Sequence, residues 1–140
     1  MALNQIFAPT HGKNRARAVA SGVVAGTPLL SGGEPAVALT SRGDATKTDA
    51  IPGSGITSVT YKSGGVGLAD DEASLAFDGT FEFAVAGVTT GTGSGVAVYI
   101  TSGGALNLTA SGNTLFGYTD YPKGYRKEAG RAPVRIGISA

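Results

Sequence analysis

Glycine divides this chain into short segments, and this sets the strongest constraint on what it can fold into. The 140 residues include 23 glycines, well over twice the roughly 7% share that is typical of proteins. They follow no three-residue period, so a collagen-like rod is excluded. Between them lie short β-branched or apolar runs bounded by Gly, Pro, Ser or Asp, a pattern typical of strands joined by turns. The chain is therefore predicted to be all-β, a compact barrel or sandwich.

Residues 19–140 are predicted to form one domain, because a chain of this length suits a single core. Its predicted strands are residues 27–30, 36–41, 56–62, 73–86, 96–101, 114–118 and 133–139. Residues 42–55 are polar and rich in turn-forming residues, so they are predicted to be a long surface loop.

The clearest strand period lies in residues 73–86, where large apolar residues alternate with polar ones. A two-residue turn at Asp78-Gly79 would pair Phe77 with Thr80 and mix apolar with polar groups on each face. An unbroken long strand, kinked or bulged at Gly79, keeps the pattern and is predicted instead. Alternation here and in two later strands predicts a core of Leu75, Phe77, Phe81, Phe83, Val85, Val96, Val98, Ile100, Val134, Ile136 and Ile138.

Residues 1–18 show no sustained strand or helix period and are predicted to be an extended N-terminal arm. At about 3.3 Å per residue, 17 extended residues reach roughly 55 Å, enough to cross a neighbouring subunit. A disordered tail is the alternative interpretation. As an arm, the segment would contact a partner through Ile6, Phe7, Lys13, Arg15 and Arg17, provided that its cations meet an acidic surface.

The residues needed for common catalytic and metal chemistry are scarce. The chain has one histidine, His11, and no cysteine, so it lacks disulfides and thiolate ligands, and a Ser-His-Asp triad would need its base in the arm. No P-loop or nucleophile elbow occurs. The acidic run Asp70, Asp71 and Glu72 is interpreted as an exposed turn, since neighbouring strand residues point to opposite faces. We expect no enzyme, no metal and no cofactor, with paired-carboxylate catalysis as an open alternative.

Two further classes of partner are disfavoured. No apolar run approaches the roughly 18 residues that span a bilayer, and no export signal is apparent, so we expect neither membrane insertion nor export. A net charge of +1 and a pI near 8.0 argue against a dedicated nucleic-acid binder.

The segment GYTDYPKGYRKEAGR is the strongest candidate for recognition. Its Tyr121, Tyr125 and Arg126 have the composition of a protein interface, with an ordinary loop or single-stranded nucleic acid as alternatives.

The order of several motifs resembles one known family. The stretches VASGVVAGTPLLSGGEPAVALTSRG, ASLAFDGTFEFAVAG, GSGVAVYIT, LFGYT and APVRIGIS follow one another from about Val19 to the C-terminus. In this order they resemble the phage capsid cement (decoration) proteins, once catalogued as a domain of unknown function and sometimes labelled phage recombinases. A recombinase would require a P-loop, which this sequence lacks.

The resemblance implies a β-barrel or sandwich that assembles as a homotrimer at threefold or quasi-threefold positions on the outer capsid surface. Its partner would be the major capsid protein, its role to stabilise the shell, and its site of synthesis the host cytoplasm. No catalytic residues come with it. The arm and residues 42–55 depart from shorter members, so their contacts do not carry over. A β-rich virion-surface module that binds a receptor or glycan is the alternative, although the chain has no Trp for sugar stacking.

Overall fold

The computed structural model describes residues 4–7, 14–64 and 67–137, which contain twelve strands and no helix. The predicted all-β fold is confirmed. The strands are β1 (Gln5–Phe7), β2 (Asn14–Ala18), β3 (Pro28–Ser31), β4 (Glu34–Ala38), β5 (Thr46–Ile51), β6 (Ile56–Lys62), β7 (Glu72–Ala76), β8 (Gly79–Ala86), β9 (Ala97–Ile100), β10 (Leu106–Asn107), β11 (Thr114–Thr119) and β12 (Arg131–Ile136).

Five strands close into a barrel in the order β8, β10, β9, β11 and β12, and β12 pairs again with β8. All neighbours in the barrel are antiparallel except β8 and β10, which run parallel. β1 pairs with Thr80 and Phe81 on the edge of β8 that β12 leaves open. β1 and β10 therefore share one edge of β8 and pair with different residues along it.

Aromatic rings fill the barrel. Phe81 is fully buried, with its ring centroid 6.2 Å from that of Phe83, and Phe83 meets Phe116 edge to face at 5.8 Å. Buried among the predicted core residues are Leu75, Phe77, Phe81, Phe83, Val85, Val98, Ile100, Val134 and Ile136. Val96 is only half-buried because it precedes β9, at one end of the barrel. Its N–H donates to the Thr119 hydroxyl. Ile138 lies outside the described residues.

A second sheet, in the order β2, β7, β4, β3, packs beside the barrel. One of its faces contributes Val37 and Ala76 to the barrel core. The opposite face forms a separate small core around Leu75 and Phe77, which the partly buried Val19 and Val23 help to cover.

The long strand predicted over residues 73–86 is divided in the structure. β7 belongs to the second sheet and β8 to the barrel, and the two do not pair, so no hairpin forms at Asp78-Gly79. The chain bends at Phe77 and Asp78, and Gly79 has a φ of 115°, which a residue with a side chain rarely adopts. A strand that passes from one sheet to the next makes a corner of a sandwich. The large apolar residues at odd positions stay buried on both sides of the corner, but Leu75 and Phe77 enter the small core whereas Phe81 and Phe83 enter the barrel core.

The N-terminal segment is extended, as predicted, but its described residues do not form a separate arm. β1 pairs with β8 and β2 with β7, because edge pairing uses backbone hydrogen bonds and needs no apolar stripe. The Asn4 amide reinforces β1 by donating to the carbonyl oxygen of Glu82 at 2.9 Å. Lys13 lies outside the described residues.

The predicted loop over residues 42–55 is also wrong, since Thr46–Ile51 is β5 and pairs with β6. The two strands form a separate two-stranded sheet, which we call the ribbon. Among the side chains described on the ribbon only Val59 is partly buried, so neither face shows the alternation that marks a half-buried strand. The cross-strand contact between the Thr48 and Thr60 hydroxyls, at 2.7 Å, stabilises it locally.

Candidate interaction surface

Residues 120–130 connect β11 to β12 and contain most of the recognition segment. Hydrogen bonds join this connection to β8 and to the loop between β8 and β9, near both of its ends. At the start, Asp120 accepts from the Thr80 hydroxyl at 3.1 Å, and the Tyr121 N–H donates to Ser94 Oγ at 2.9 Å. Towards the end, Lys127 Nζ donates to the carbonyl oxygen of Thr92 at 2.8 Å. The connection is therefore braced rather than free, and we call it the braced loop.

The two tyrosines predicted for an interface contact each other. Tyr121 and Tyr125 meet edge to face at 5.6 Å, and Lys127 Nζ lies 4.5 Å from the centroid of the Tyr121 ring. Both rings are half-buried, and Tyr121 packs against the barrel core. Burial raises the pKa of Tyr121. The Tyr121 ring is thus engaged within the molecule by its contacts with Lys127 and the barrel core.

Glu82 joins the braced loop to the barrel wall. Its Oε2 accepts from Tyr125 Oη at 2.5 Å, while its Oε1 accepts from Nε and Nη2 of Arg131 at 3.1 and 2.8 Å. The hydrogen bond from Tyr125, followed by the Arg131 guanidinium, holds the pKa of Glu82 below its usual value against the opposing effect of burial. Burial first, and then the bond to Glu82, raise the pKa of Tyr125.

The braced loop exposes two cations. Lys123 and Arg126 are exposed, and neither takes part in an ion pair with another residue in the described part of the chain. An uncompensated cation on a fixed loop attracts an acidic surface and orients it. The contact role predicted for Arg126 remains a prediction, as do those of Tyr121 and Tyr125.

The other predicted contact residues lie on different sheets. Arg15 and Arg17 are exposed on β2, at the edge of the second sheet, and the Arg17 guanidinium lies 5.5 Å from the centroid of the Phe77 ring. The backbones of Ile6 and Phe7 belong to β1, whereas their side chains are outside what is described. Arg15 and Arg17 therefore lie on a different sheet from β11 and β12, which carry the braced loop, and their contacts stay predictions.

An open groove of about 1050 Å³ lies between β1 and β10 along the edge of β8, and sequence reasoning missed it. Its lining includes Val24, Ala25, Ala84, Ala86 and Ala105, which are all exposed, and Val24 exposes 56% of its surface. Glu82 and Arg131 lie at its polar end, already paired with each other. We call it the β8 groove.

The fold and this surface define an all-β protein with a closed five-stranded barrel, a second sheet and an exposed ribbon. Compared with known protein families, curated proteins and solved structures, the chain matches none. The described residues contain no helix that is long and apolar enough to cross a membrane. Within the same ranges, no three His, Cys, Asp or Glu residues lie close enough together to hold a metal ion.

The raised pKa of Tyr125 predicts a loss of stability at alkaline pH. The folded state holds the phenol proton more tightly than the unfolded chain, so this contribution is present below the ordinary pKa of about 10 and is lost as the pH rises above it. In wild type the free energy of unfolding should fall from pH 10 to 12, with this one group adding less than the maximum of about 1.4 kcal/mol per pH unit because solvent reaches the phenol. Tyr125→Phe should remove that part of the slope. The free energy of unfolding is measured by urea denaturation at each pH. Equal slopes of this free energy against pH in the two proteins would contradict the assignment.

Proposed function

We propose that this chain is a capsid decoration protein that binds the outer face of an assembled phage shell as a homotrimer. It strengthens the shell by binding and catalyses no reaction. The observation that carries the proposal is the braced loop, which holds the exposed cations Lys123 and Arg126 on a fixed support. Together with the ordered motifs noted above, it favours recognition of an acidic patch on the major capsid protein.

Bracing favours binding because little conformational entropy remains to be lost. A loop that is already held by the Tyr121–Tyr125 contact and by the Glu82 hydrogen bonds avoids part of the ordering cost that a flexible loop would meet on association. The Tyr121 ring, which Lys127 and the barrel core already contact, also favours a protein partner over a glycan at this loop. We therefore place the receptor- or glycan-binding module second.

Multivalency explains how such small contacts could stabilise a shell. In a trimer on a threefold axis, the second and third attachments are effectively intramolecular, so weak single contacts combine into tight overall binding. The direct test is cryo-electron microscopy of purified capsids mixed with the protein. Threefold density outside the shell is expected. Bare capsids at saturating protein concentration would overturn the proposal, and a signal on a glycan array would then favour the second candidate.

Charge reversal on the braced loop should weaken attachment. Arg126→Glu is expected to reduce capsid affinity about tenfold, because a like-charge contact replaces an attractive one. The control is Lys47→Glu on the ribbon, an exposed site with the same change in net charge, whose 3.9 Å ion pair with Asp49 is solvent-exposed and contributes little. Binding measured by co-sedimentation should fall for the first variant and persist for the second, and wild-type binding should weaken with added salt. Equal capsid affinity of the two variants would show that Arg126 is not part of the interface.

A further inference from the structure

The outer edge of β5 is a strand edge without a partner in the described part of the chain. β5 pairs with β6 on one side, and no described strand pairs with its other side. Residues 46–50 are all exposed. A two-stranded ribbon alone is marginally stable in water, and three or more strands make a sheet more stable. Pairing of a further strand with β5 would therefore stabilise the ribbon.

Backbone hydrogen bonds show which groups of β5 are available at this edge. At the base of the ribbon, Ser63 N–H donates to the carbonyl oxygen of Ala45 at 2.6 Å. In an antiparallel pair, hydrogen-bonded positions alternate with positions whose N–H and C=O groups point away, so Thr46 and Thr48 direct theirs away from β6. The contact between the Thr48 and Thr60 hydroxyls, at 2.7 Å, fits this alternation, because side chains lie closer at a non-hydrogen-bonded pair. The outer edge thus offers backbone donors and acceptors at Thr46 and Thr48.

The base of the ribbon is firmly attached, which holds this edge in place. Gly43 N–H donates to the carbonyl oxygen of Glu72 at 2.7 Å, and Asp44 N–H donates to that of Asp70 at 2.9 Å. A Cβ on Gly64 would lie 2.7 Å from the Cα of Gly43, so the two ends of the ribbon pass each other in direct contact. A strand that is already held in place loses little conformational entropy when another strand pairs with it.

The bulge in the ribbon leaves β5 regular. Asp49 pairs with Val59 and Ile51 pairs with Ile56, so β6 advances three residues while β5 advances two. The extra residue therefore lies on β6. β5 presents an unbroken edge on the other side.

The order of charges on β5 is complementary to itself. Lys47 and Asp49 lie on either side of Thr48 and share one face of the strand. In a twofold-related antiparallel pair centred on Thr48, Lys47 lies opposite Asp49 of the second copy, and Asp49 lies opposite its Lys47. Opposite charges directly across two strands stabilise their pairing. Thr46 lies opposite Ala50 in this register, so no like charges meet.

β2 is an exposed edge strand with the contrary order of charges. All five of its residues are exposed, and it forms one edge of the second sheet. The same twofold pairing, centred on Ala16, would place Arg15 opposite Arg17, and like charges directly opposite each other are destabilising. Cations on an edge strand commonly prevent such pairing. Lys47 on β5 does not have this effect, because Asp49 accompanies it on the same face.

We propose that β5 of one copy pairs with β5 of a second copy, as antiparallel strands related by a twofold axis. The two ribbons then form one four-stranded sheet in the order β6, β5, β5, β6. Both copies use the same surface, so the contact closes as a dimer. It covers much less than the roughly 800 Å² per partner of a standard interface. A single contact is therefore weak and forms at high protein concentration.

This inference goes beyond the proposed function and does not depend on it. Twofold pairing of ribbons needs no capsid, so its test uses the protein alone. Failure of ribbon pairing and failure of capsid binding are therefore separate results. At the micromolar protein concentrations of the capsid assay, free copies do not pair, so Lys47→Glu remains a valid control there.

The first experiment is analytical ultracentrifugation of two charge variants, Lys47→Glu and Asp49→Lys, with folding of each checked by circular dichroism. The sedimentation coefficient of wild type should rise with concentration up to about 1 mM, where a weak contact is populated. Each variant alone places like charges opposite each other and should pair about tenfold more weakly. Their equimolar mixture should associate as wild type does, because one copy then carries two anions and the other two cations at the facing positions. A wild type without the rise, variants that associate as strongly as wild type, or a mixture without recovery overturns the proposal.

A disulfide cross-link tests the register of the same contact in the full-length protein. The chain has no cysteine, so Thr48→Cys can be introduced at the centre of the pair without background. Directly opposite Cα atoms in a hydrogen-bonded antiparallel pair lie about 5.5 Å apart, within the range that a disulfide spans. Mild oxidation should therefore give a covalent homodimer.

The control for the cross-link is Thr60→Cys, an exposed threonine on the other strand of the same ribbon. In the four-stranded sheet the two copies of Thr60 are separated by both β5 strands, so this variant should stay unlinked. Ala16→Cys, at the centre of the self-repelling edge of β2, should also stay unlinked. Equal cross-linking of Thr48→Cys and Thr60→Cys would contradict pairing through β5.

Discussion

Replacing Phe81 with alanine should lower the free energy of unfolding by about 3 to 5 kcal/mol, the usual cost of truncating a buried aromatic residue. Phe81 is fully buried and lies on β8, which pairs with β12 on one edge and with β1 on the other. Its loss would leave a cavity beside Phe83 that the surrounding closed barrel cannot readily collapse to fill. Urea denaturation followed by circular dichroism measures the change.

Leu115→Ala is the control for this prediction, because it also truncates a large apolar side chain on a barrel strand. Leu115 is 40% exposed, so its truncation should cost about 1 kcal/mol or less. Phe83→Ala, at a second buried position, should resemble Phe81→Ala. Similar unfolding midpoints for all three variants would show that the alternation in residues 73–86 does not identify the face that carries the stability.

Side-chain alternation is the part of the fold that the sequence predicts well, because it is a local property of an extended backbone. Leu75 and Phe77 on one side of the corner, and Phe81 and Phe83 on the other, are all buried. The same alternation does not reveal that β7 and β8 belong to different sheets, since a bend that preserves parity leaves the pattern intact. Membership of a sheet depends on pairing with distant strands, such as β12 with β8.

β2 and β5 escape sequence reasoning for a related reason. All five residues of β2 are exposed, and the described side chains of β5 are exposed as well. A strand that buries neither face has no hydrophobic period to detect. Such strands are held by backbone hydrogen bonds, which place few demands on amino-acid composition. In the ribbon, only the frequent threonines indicate a strand.

The sequence predicts the amino-acid composition of the candidate surface but not its geometry. Tyrosines interleaved with cations mark residues 118–127 as a recognition segment, but the partner of Tyr125 is Glu82, 43 residues earlier in the chain. In the sequence Glu82 is only the polar member of an alternating strand. The braced character of the loop, and hence the engagement of its aromatic rings, follows from barrel closure and is not visible in local sequence.

Barrel closure also explains where recognition is expected. A closed barrel removes most exposed strand edges and so leaves few places where another chain can pair. The structures that remain available are those added to the barrel: the braced loop, the ribbon, the edge strands of the second sheet and the partly open edge of β8. The proposed capsid contact uses one of these additions, the braced loop.

The barrel itself should fail when Gly117 is replaced by alanine. Gly117 lies on β11 where β12 approaches it, and an added Cβ would overlap the carbonyl oxygen of Arg135 and lie 3.0 Å from Val134 Cγ1. The obstacle is backbone in a paired strand, which cannot rotate away. We expect Gly117→Ala to cost about 3 kcal/mol or more, at the upper end of the range for overpacking. A lowered urea midpoint should accompany earlier hydrogen exchange of β11 and β12 amides.

Gly93→Ala separates this steric effect from the general effect of removing a glycine. Gly93 lacks a left-handed φ, as does Gly117, and a Cβ built on it meets nothing within 4 Å. Its replacement should be neutral or slightly stabilising, because alanine reduces the entropy of the unfolded chain by about 0.4 to 1 kcal/mol. A Gly117→Ala protein as stable as Gly93→Ala would mean that β11 and β12 can separate at no cost, and the closed barrel could not then be the source of rigidity for the surfaces it carries.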